Sequence, residues 1–79
     1  MTSVEFLGPY RLTQDDAYFK LGRDSVLLSR FCTLRRGWAV CDLGCGIGSL
    51  LLLVSQREET LDRLGIELDP GAAALARQN

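Results

Sequence analysis

The sequence has no histidine, only two prolines and a single methionine among its 79 residues, and its three cysteines, Cys32, Cys41 and Cys45, are an odd number. Two of those cysteines fall in a stretch that reads as a strand and the loop after it, which argues against a disulfide framework. A zinc site needs four nitrogen or sulfur ligands, and without histidine or a paired C-x-x-C no metal site is expected. The cysteines read instead as small apolar side chains. Long apolar runs are missing too: the longest, Leu50 to Val54, is far short of the ~20 residues of a bilayer span. The start, "MTSVEFLGPY", has no basic segment leading into an apolar one. The expectation is a cytoplasmic protein with no membrane partner. An excess of charge is also lacking. Nine basic and ten acidic side chains leave a net charge of −1, which excludes a basic nucleic-acid surface over the whole chain. Residues 1–36 nonetheless carry six basic groups against four acidic ones, and the remainder three against six. Contact with an anionic partner would therefore fall in the N-terminal part.

What is present is 47% apolar residues, enough for one small domain that buries roughly 60% of its unfolded surface. No repeat or linker divides it. Residues 1–23 form an extended or loop segment, with Gly8-Pro9 as a turn signal that suits a short hairpin. From Asp24 the pattern turns helical. Asp24 is placed to cap the helix, Val26, Leu27, Phe31 and Leu34 recur at helical spacing, and Gly37 is the expected stop. "WAVCDL" (38–43) is rich in strand formers and apolar almost throughout, as expected of a strand buried on both faces of a parallel sheet. Residues 47–57 are apolar on nearly all sides, so this helix is expected against the sheet. "LDRLGIEL" (61–68) gives a second strand. Asp69 caps a last helix with Pro70 at its first position. The fold class is α/β: strand, glycine turn, helix, strand, helix, with the two strands parallel.

Ligands of such units bind beyond the carboxyl ends of the strands. Two distinctive features fall there. Asp42-Leu43-Gly44-Cys45-Gly46-Ile47-Gly48 places three glycines at alternate positions, where a Cβ would obstruct a sharp turn or a close ligand. Glu67 ends the second strand, 19 residues after Gly48, and a carboxylate there can accept from both hydroxyls of a ribose. Without a ligand, the glycines would be only a tight turn and Glu67 only a solvated charge. A dinucleotide fingerprint requires its third glycine where Ser49 stands, so the loop is G-x-G-x-G rather than G-x-G-x-x-G.

"VCDLGCGIG" followed by "GIELD" resembles the first two motifs of class I S-adenosylmethionine-dependent methyltransferases. The resemblance implies that Asp42 and the Gly44–Gly48 loop, with Cys45 in it, surround the methionine part of the cofactor. It also implies that Glu67 binds the ribose and that Leu68 lies against the adenine. Upstream, "YRLTQDDAYFKLGRDSVLLSRF" resembles the segment before this loop in bacterial methyltransferases that modify the exocyclic amine of adenine in tRNA. Gln14, Phe19, Lys20, Gly22, Asp24, Leu27 and Leu28 occupy the places of that pattern, which adds Lys20 and Asp24 to the cofactor side. The implied fold is an incomplete, Rossmann-like methyltransferase fold comprising the N-terminal segment and residues 24–79. The Asn-Pro-Pro-aromatic tetrapeptide of the adenine-modifying members does not occur here. The chain is therefore expected to be an N-terminal cofactor-binding portion, inactive alone, with tRNA as partner of the full-length protein. Self-association through strand 38–43 is expected from the missing neighbour strand. Methyltransferases of small molecules or proteins, and a non-catalytic module with a purely structural glycine turn, are the alternatives.

Overall fold

In the computed structural model, which describes residues 1–79, the chain begins with strands β1 (Thr2–Leu7) and β2 (Tyr10–Asp15), paired antiparallel with Leu7 opposite Tyr10. Gly8-Pro9 is the two-residue loop between them. Gly8 has φ of 60° and the proline ring holds its own φ negative, a combination that suits a type II′ turn and not type I′. The expected extended segment is thus a hairpin followed by a short connection.

Helix α1 (Arg23–Phe31) departs from expectation at both ends. Asp24 is not its cap. Gly22 occupies that position with no side-chain bond, and Asp24 lies in the first turn, where a negative charge still complements the helix dipole. Nor does the helix reach Gly37. A distant side chain satisfies its last carbonyls: Arg57 Nη1 donates to the carbonyl of Ser29 and, at 2.7 Å, to that of Cys32. Helix ends need such partners, and this one is supplied by tertiary structure. Gly37, with φ of 77°, belongs to the next turn and donates to Thr60 Oγ1 at 2.8 Å. Of the expected apolar face, Val26 packs on the core, Leu34 is half-buried, and Leu27 and Phe31 are exposed.

The remainder is β3 (Ala39–Leu43), α2 (Ser49–Arg57), β4 (Asp62–Ile66) and α3 (Pro70–Gln78). The two strands pair in parallel from Ala39 opposite Asp62 to Leu43 opposite Ile66. This is the expected β-α-β unit, with elements shortened at their ends. At α3 the local signal holds: Asp69 Oδ1 accepts from the amides of Gly71 at 2.9 Å and Ala72 at 3.3 Å, with Pro70 at the start of the helix.

Burial is where the expectation for the sheet fails. β3 is not covered on both faces; it alternates between exposed and half-buried, and Leu43 is 77% exposed. The apolar side chains of α2 are used elsewhere. Leu52 and Leu53 form the core with Ile47 and with Leu7 and Leu12 of the hairpin, edged by Tyr10, Tyr18, Leu21, Val26 and Leu75. Leu12 is fully buried at its centre. The helix meets the sheet at Gly65, where a Cβ would come within 2.7 Å of Cys45 Sγ and 3.0 Å of Leu51 Cδ1. The glycine there leaves room for this close approach. No helix is long and apolar enough to cross a membrane.

Candidate functional site

Parallel pairing brings the carboxyl ends of β3 and β4 side by side, with Leu43 opposite Ile66. The loop Gly44–Gly48 leaves one strand and Glu67 follows the other. The amides of Gly44 and Cys45 both donate to the Ile66 carbonyl, at 2.7 and 3.0 Å. Gly44, Gly46 and Gly48 have φ of 74°, 57° and 89°, a region that side-chain-bearing residues rarely enter. Nothing lies within 4 Å of a Cβ built on Gly44 or Gly46. These two glycines therefore present bare backbone to open space. Gly48 differs: a Cβ there would lie 3.6 Å from Cβ of Ala76 on α3.

Glu67 reaches across to the loop. Its Oε1 accepts from the Gly46 amide at 2.8 Å, while Oε2 accepts from the Asp69 amide at 3.0 Å. Those two amides, Asp69 foremost and then Gly46, hold the carboxyl below its ordinary pKa because they bond to the ionised form. Asp42 is shifted the other way, raised by partial burial. Cys45 is buried and donates weakly to the Gly46 carbonyl at 3.6 Å. Burial, and then the charges of Asp42 and Glu67, push its thiol up, so it is a packing group rather than a nucleophile.

A cleft of about 840 Å³ opens here. Lys20, Asp42, Gly44, Cys45, Gly46 and Glu67, all singled out from the sequence, line it. Asp24, Gly48 and Leu68 do not. Asp24 is exposed on the first turn of α1, Gly48 is buried against α3, and Leu68 is 96% exposed. The wall opposite the loop includes Tyr18, Phe19 and Ser25, of which the sequence marked only Phe19, as part of the upstream pattern. Lys20 forms an ion pair with Asp16. Gln14, buried in β2, explains how this wall is held: its Oε1 accepts from the Leu21 amide at 2.8 Å and its Nε2 donates to Glu5 at 3.3 Å. The Tyr18 hydroxyl sits against Gly71, where any Cβ would overlap it. These contacts depend on tertiary folding, and only Gln14 stood out in the sequence.

A phosphate-binding loop would gather bases. Here Asp16, Asp42, Glu67 and Asp69 line the cleft against one base, Lys20, so the site favours a ligand with positive charge.

No protein-family model matches the chain. A protein of Haemophilus influenzae is 35% identical over 71 residues, covering 89% of this chain and 31% of its own length. One of Proteus mirabilis is 36% identical over 69 residues, 86% of this chain and 27% of its own. A third, of Yersinia enterocolitica, is 37% identical over 71 residues, 86% of this chain and 28% of its own. Over this span the chain is similar to S-adenosylmethionine-dependent methyltransferases. These relatives are each named tRNA1(Val) (adenine(37)-N6)-methyltransferase. The chain spans about a third or less of their length, 31%, 27% and 28% in these three cases.

Proposed function

We propose that this chain is the S-adenosylmethionine-binding portion of an RNA methyltransferase that acts in the cytoplasm on the exocyclic amine of adenine in tRNA, and that its β-α-β unit is part of a Rossmann-like sheet. The observation that carries this reading is the charge of the cleft around the glycine loop: four carboxylates against one lysine. S-adenosylmethionine brings a sulfonium and an ammonium group, which such a lining attracts, whereas the pyrophosphate of a dinucleotide would be repelled. The bare backbone at Gly44 and Gly46 leaves room for a ligand to approach. In this reading Asp42 holds the ammonium end, Lys20 the ligand's carboxylate and Glu67 the ribose hydroxyls. When bound, the cofactor supplies an electrophilic methyl group. The acceptor-holding tetrapeptide is not among these 79 residues, so the chain by itself is expected to transfer no methyl group. Residues 1–36, with six basic groups against four acidic ones, would supply the contacts to an RNA backbone.

Calorimetric titration of the 79-residue chain with S-adenosylmethionine and S-adenosylhomocysteine tests the reading. Binding is expected, with Glu67→Ala weakening it tenfold or more, the scale of lost hydrogen bonds to a charged group, about 1.5–3 kcal/mol each. Absence of binding at millimolar ligand, with no difference for Glu67→Ala, would reject it.

A second reading has its own observation. β3 is bonded only to β4, so its other edge is unpaired. We propose that this edge, around residues 38–43, pairs with the same strand of a second copy; about a two-fold axis the two strands run antiparallel. A compact monomer at tens of micromolar in sedimentation would overturn it.

A further inference from the structure

Asn79, which follows α3, makes three side-chain hydrogen bonds, and none is to its own helix. Its Oδ1 accepts from the Thr13 amide at 2.8 Å, and its Nδ2 donates to the Thr13 carbonyl at 3.0 Å and to the Ile47 carbonyl at 2.8 Å. Both N–H donors of the amide are thus in use. Toward Thr13 the side chain pairs as a neighbouring strand residue would. Its remaining donor goes to the glycine loop.

The Ile47 carbonyl is well placed to control that loop. It belongs to the peptide plane between Ile47 and Gly48, whose orientation follows ψ of Ile47 and φ of Gly48, the latter 89°. Glycine has the most backbone freedom to lose, so on its Gly48 side this plane is held by its hydrogen bonds more than by local geometry. The same plane carries the Gly48 amide, which donates to the Cys45 carbonyl at 3.0 Å, and the Gly48 carbonyl accepts from Leu52 in the first turn of α2 at 3.2 Å. On the other side of the loop, Glu67 holds the Gly46 amide at 2.8 Å. Ile47 itself is buried in the core.

We propose that Asn79 is a positioning residue: through the Ile47 carbonyl it sets the conformation in which Gly44–Gly48 faces the cleft, and it ties that conformation to the hairpin. The proposal rests on the cofactor reading above where it concerns binding. Asn79 lies outside the lining of the cleft, so its effect on a ligand passes through the loop. Pre-organising a flexible loop improves affinity by removing an ordering cost.

Amide hydrogen exchange by NMR on the 79-residue chain, with S-adenosylmethionine titrations, provides the test. Asn79→Asp keeps the size and the acceptor but loses both donors and sets a charge against two carbonyl oxygens. Exchange at Gly46 and Gly48 is expected to quicken at least tenfold, and the dissociation constant to rise by a similar factor. Gln78→Ala, one residue earlier on an exposed position, should change neither. A folded Asn79→Asp variant with both readouts within twofold of the unsubstituted chain overturns the proposal. Should the variant unfold, the unsubstituted chain decides. The Asn79 side-chain amide protons must exchange at least tenfold more slowly than those of Gln78, and equal rates overturn the proposal. If loop exchange responds to Asn79→Asp while no S-adenosylmethionine binds to any variant, the cofactor reading fails and the hold of Asn79 on the loop stands.

Discussion

At the scale of single residues, two of the cleft's four carboxylates, Glu67 and Asp42, have opposite relations to folding. Glu67 is bonded to the amides of Asp69 and Gly46, which lower its pKa from the ordinary 4.5. A lowered folded pKa contributes stability that is fully present above the unfolded value and is lost as pH falls through the folded one. The loop's exchange protection is therefore expected to persist from neutral pH down to the unfolded value and to disappear in more acid solution. The Glu67→Gln variant should lose that acid-sensitive step. Asp42 is raised from 3.8 by burial, so its ionisation opposes folding, increasingly as pH rises through that value and the raised one. Asp42→Asn is expected to raise the thermal unfolding midpoint of the unliganded chain at pH 7. The same change should weaken S-adenosylmethionine binding about tenfold, the loss of one charge-assisted contact. Scanning calorimetry and titration read the two effects separately. A variant less stable than the unsubstituted chain would show that Asp42 stabilises the fold rather than the ligand.

At the scale of elements, the legible features are those whose partners are close in sequence. Asp69 caps α3 through amides two and three residues ahead, and Gly8-Pro9 closes its hairpin between adjacent strands. Asp69→Ala is expected to cost about 1 kcal/mol, the usual value for such a cap. Circular dichroism during denaturant unfolding should show it as a lower midpoint at unchanged slope. The carboxyl ends of the strands were equally legible: alternate glycines and Glu67 mark a loop and an acid that parallel pairing must bring together. The end of α1 was not legible. Its carbonyls are held by Arg57, 25 and 28 residues away, so no local pattern could place the stop at Phe31 rather than near Gly37. The holds of Asn79 on Thr13 and Ile47, across 66 and 32 residues, were hidden for the same reason. α2 was recognised as a buried helix but matched to the wrong partner. An all-round apolar helix shows that it is covered and not by what, and here α1 and the hairpin cover it more than the sheet does.

At the scale of the molecule, the core gathers where the hairpin, α1 and α2 meet, while the sheet that carries the candidate site stays largely bare. Leu43, Leu64, Ile66 and Trp38 are all exposed on or beside the sheet. Apolar surface of this kind, next to a strand edge without a partner, favours pairing with another chain. Trp38 is the sole tryptophan, stands just before β3, and is 45% exposed with the Arg35 guanidinium 5.8 Å from its ring centroid. It is therefore a reporter placed at the end of the proposed pairing edge. As concentration rises from the micromolar into the tens of micromolar range, its emission is expected to shift to the blue while the sedimentation coefficient increases. The bonds from the Asp62 amide to Trp38 and from the Gly44 amide to Ile66 assign the even-numbered residues of β3 to β4, so Cys41→Pro removes an amide on the free edge and should abolish both changes. Val40→Pro removes an amide of the β3–β4 ladder instead, so its effect is loss of that pairing rather than of the free edge. Concentration-independent emission and sedimentation in the unsubstituted chain would mean that the bare edge is tolerated in solution.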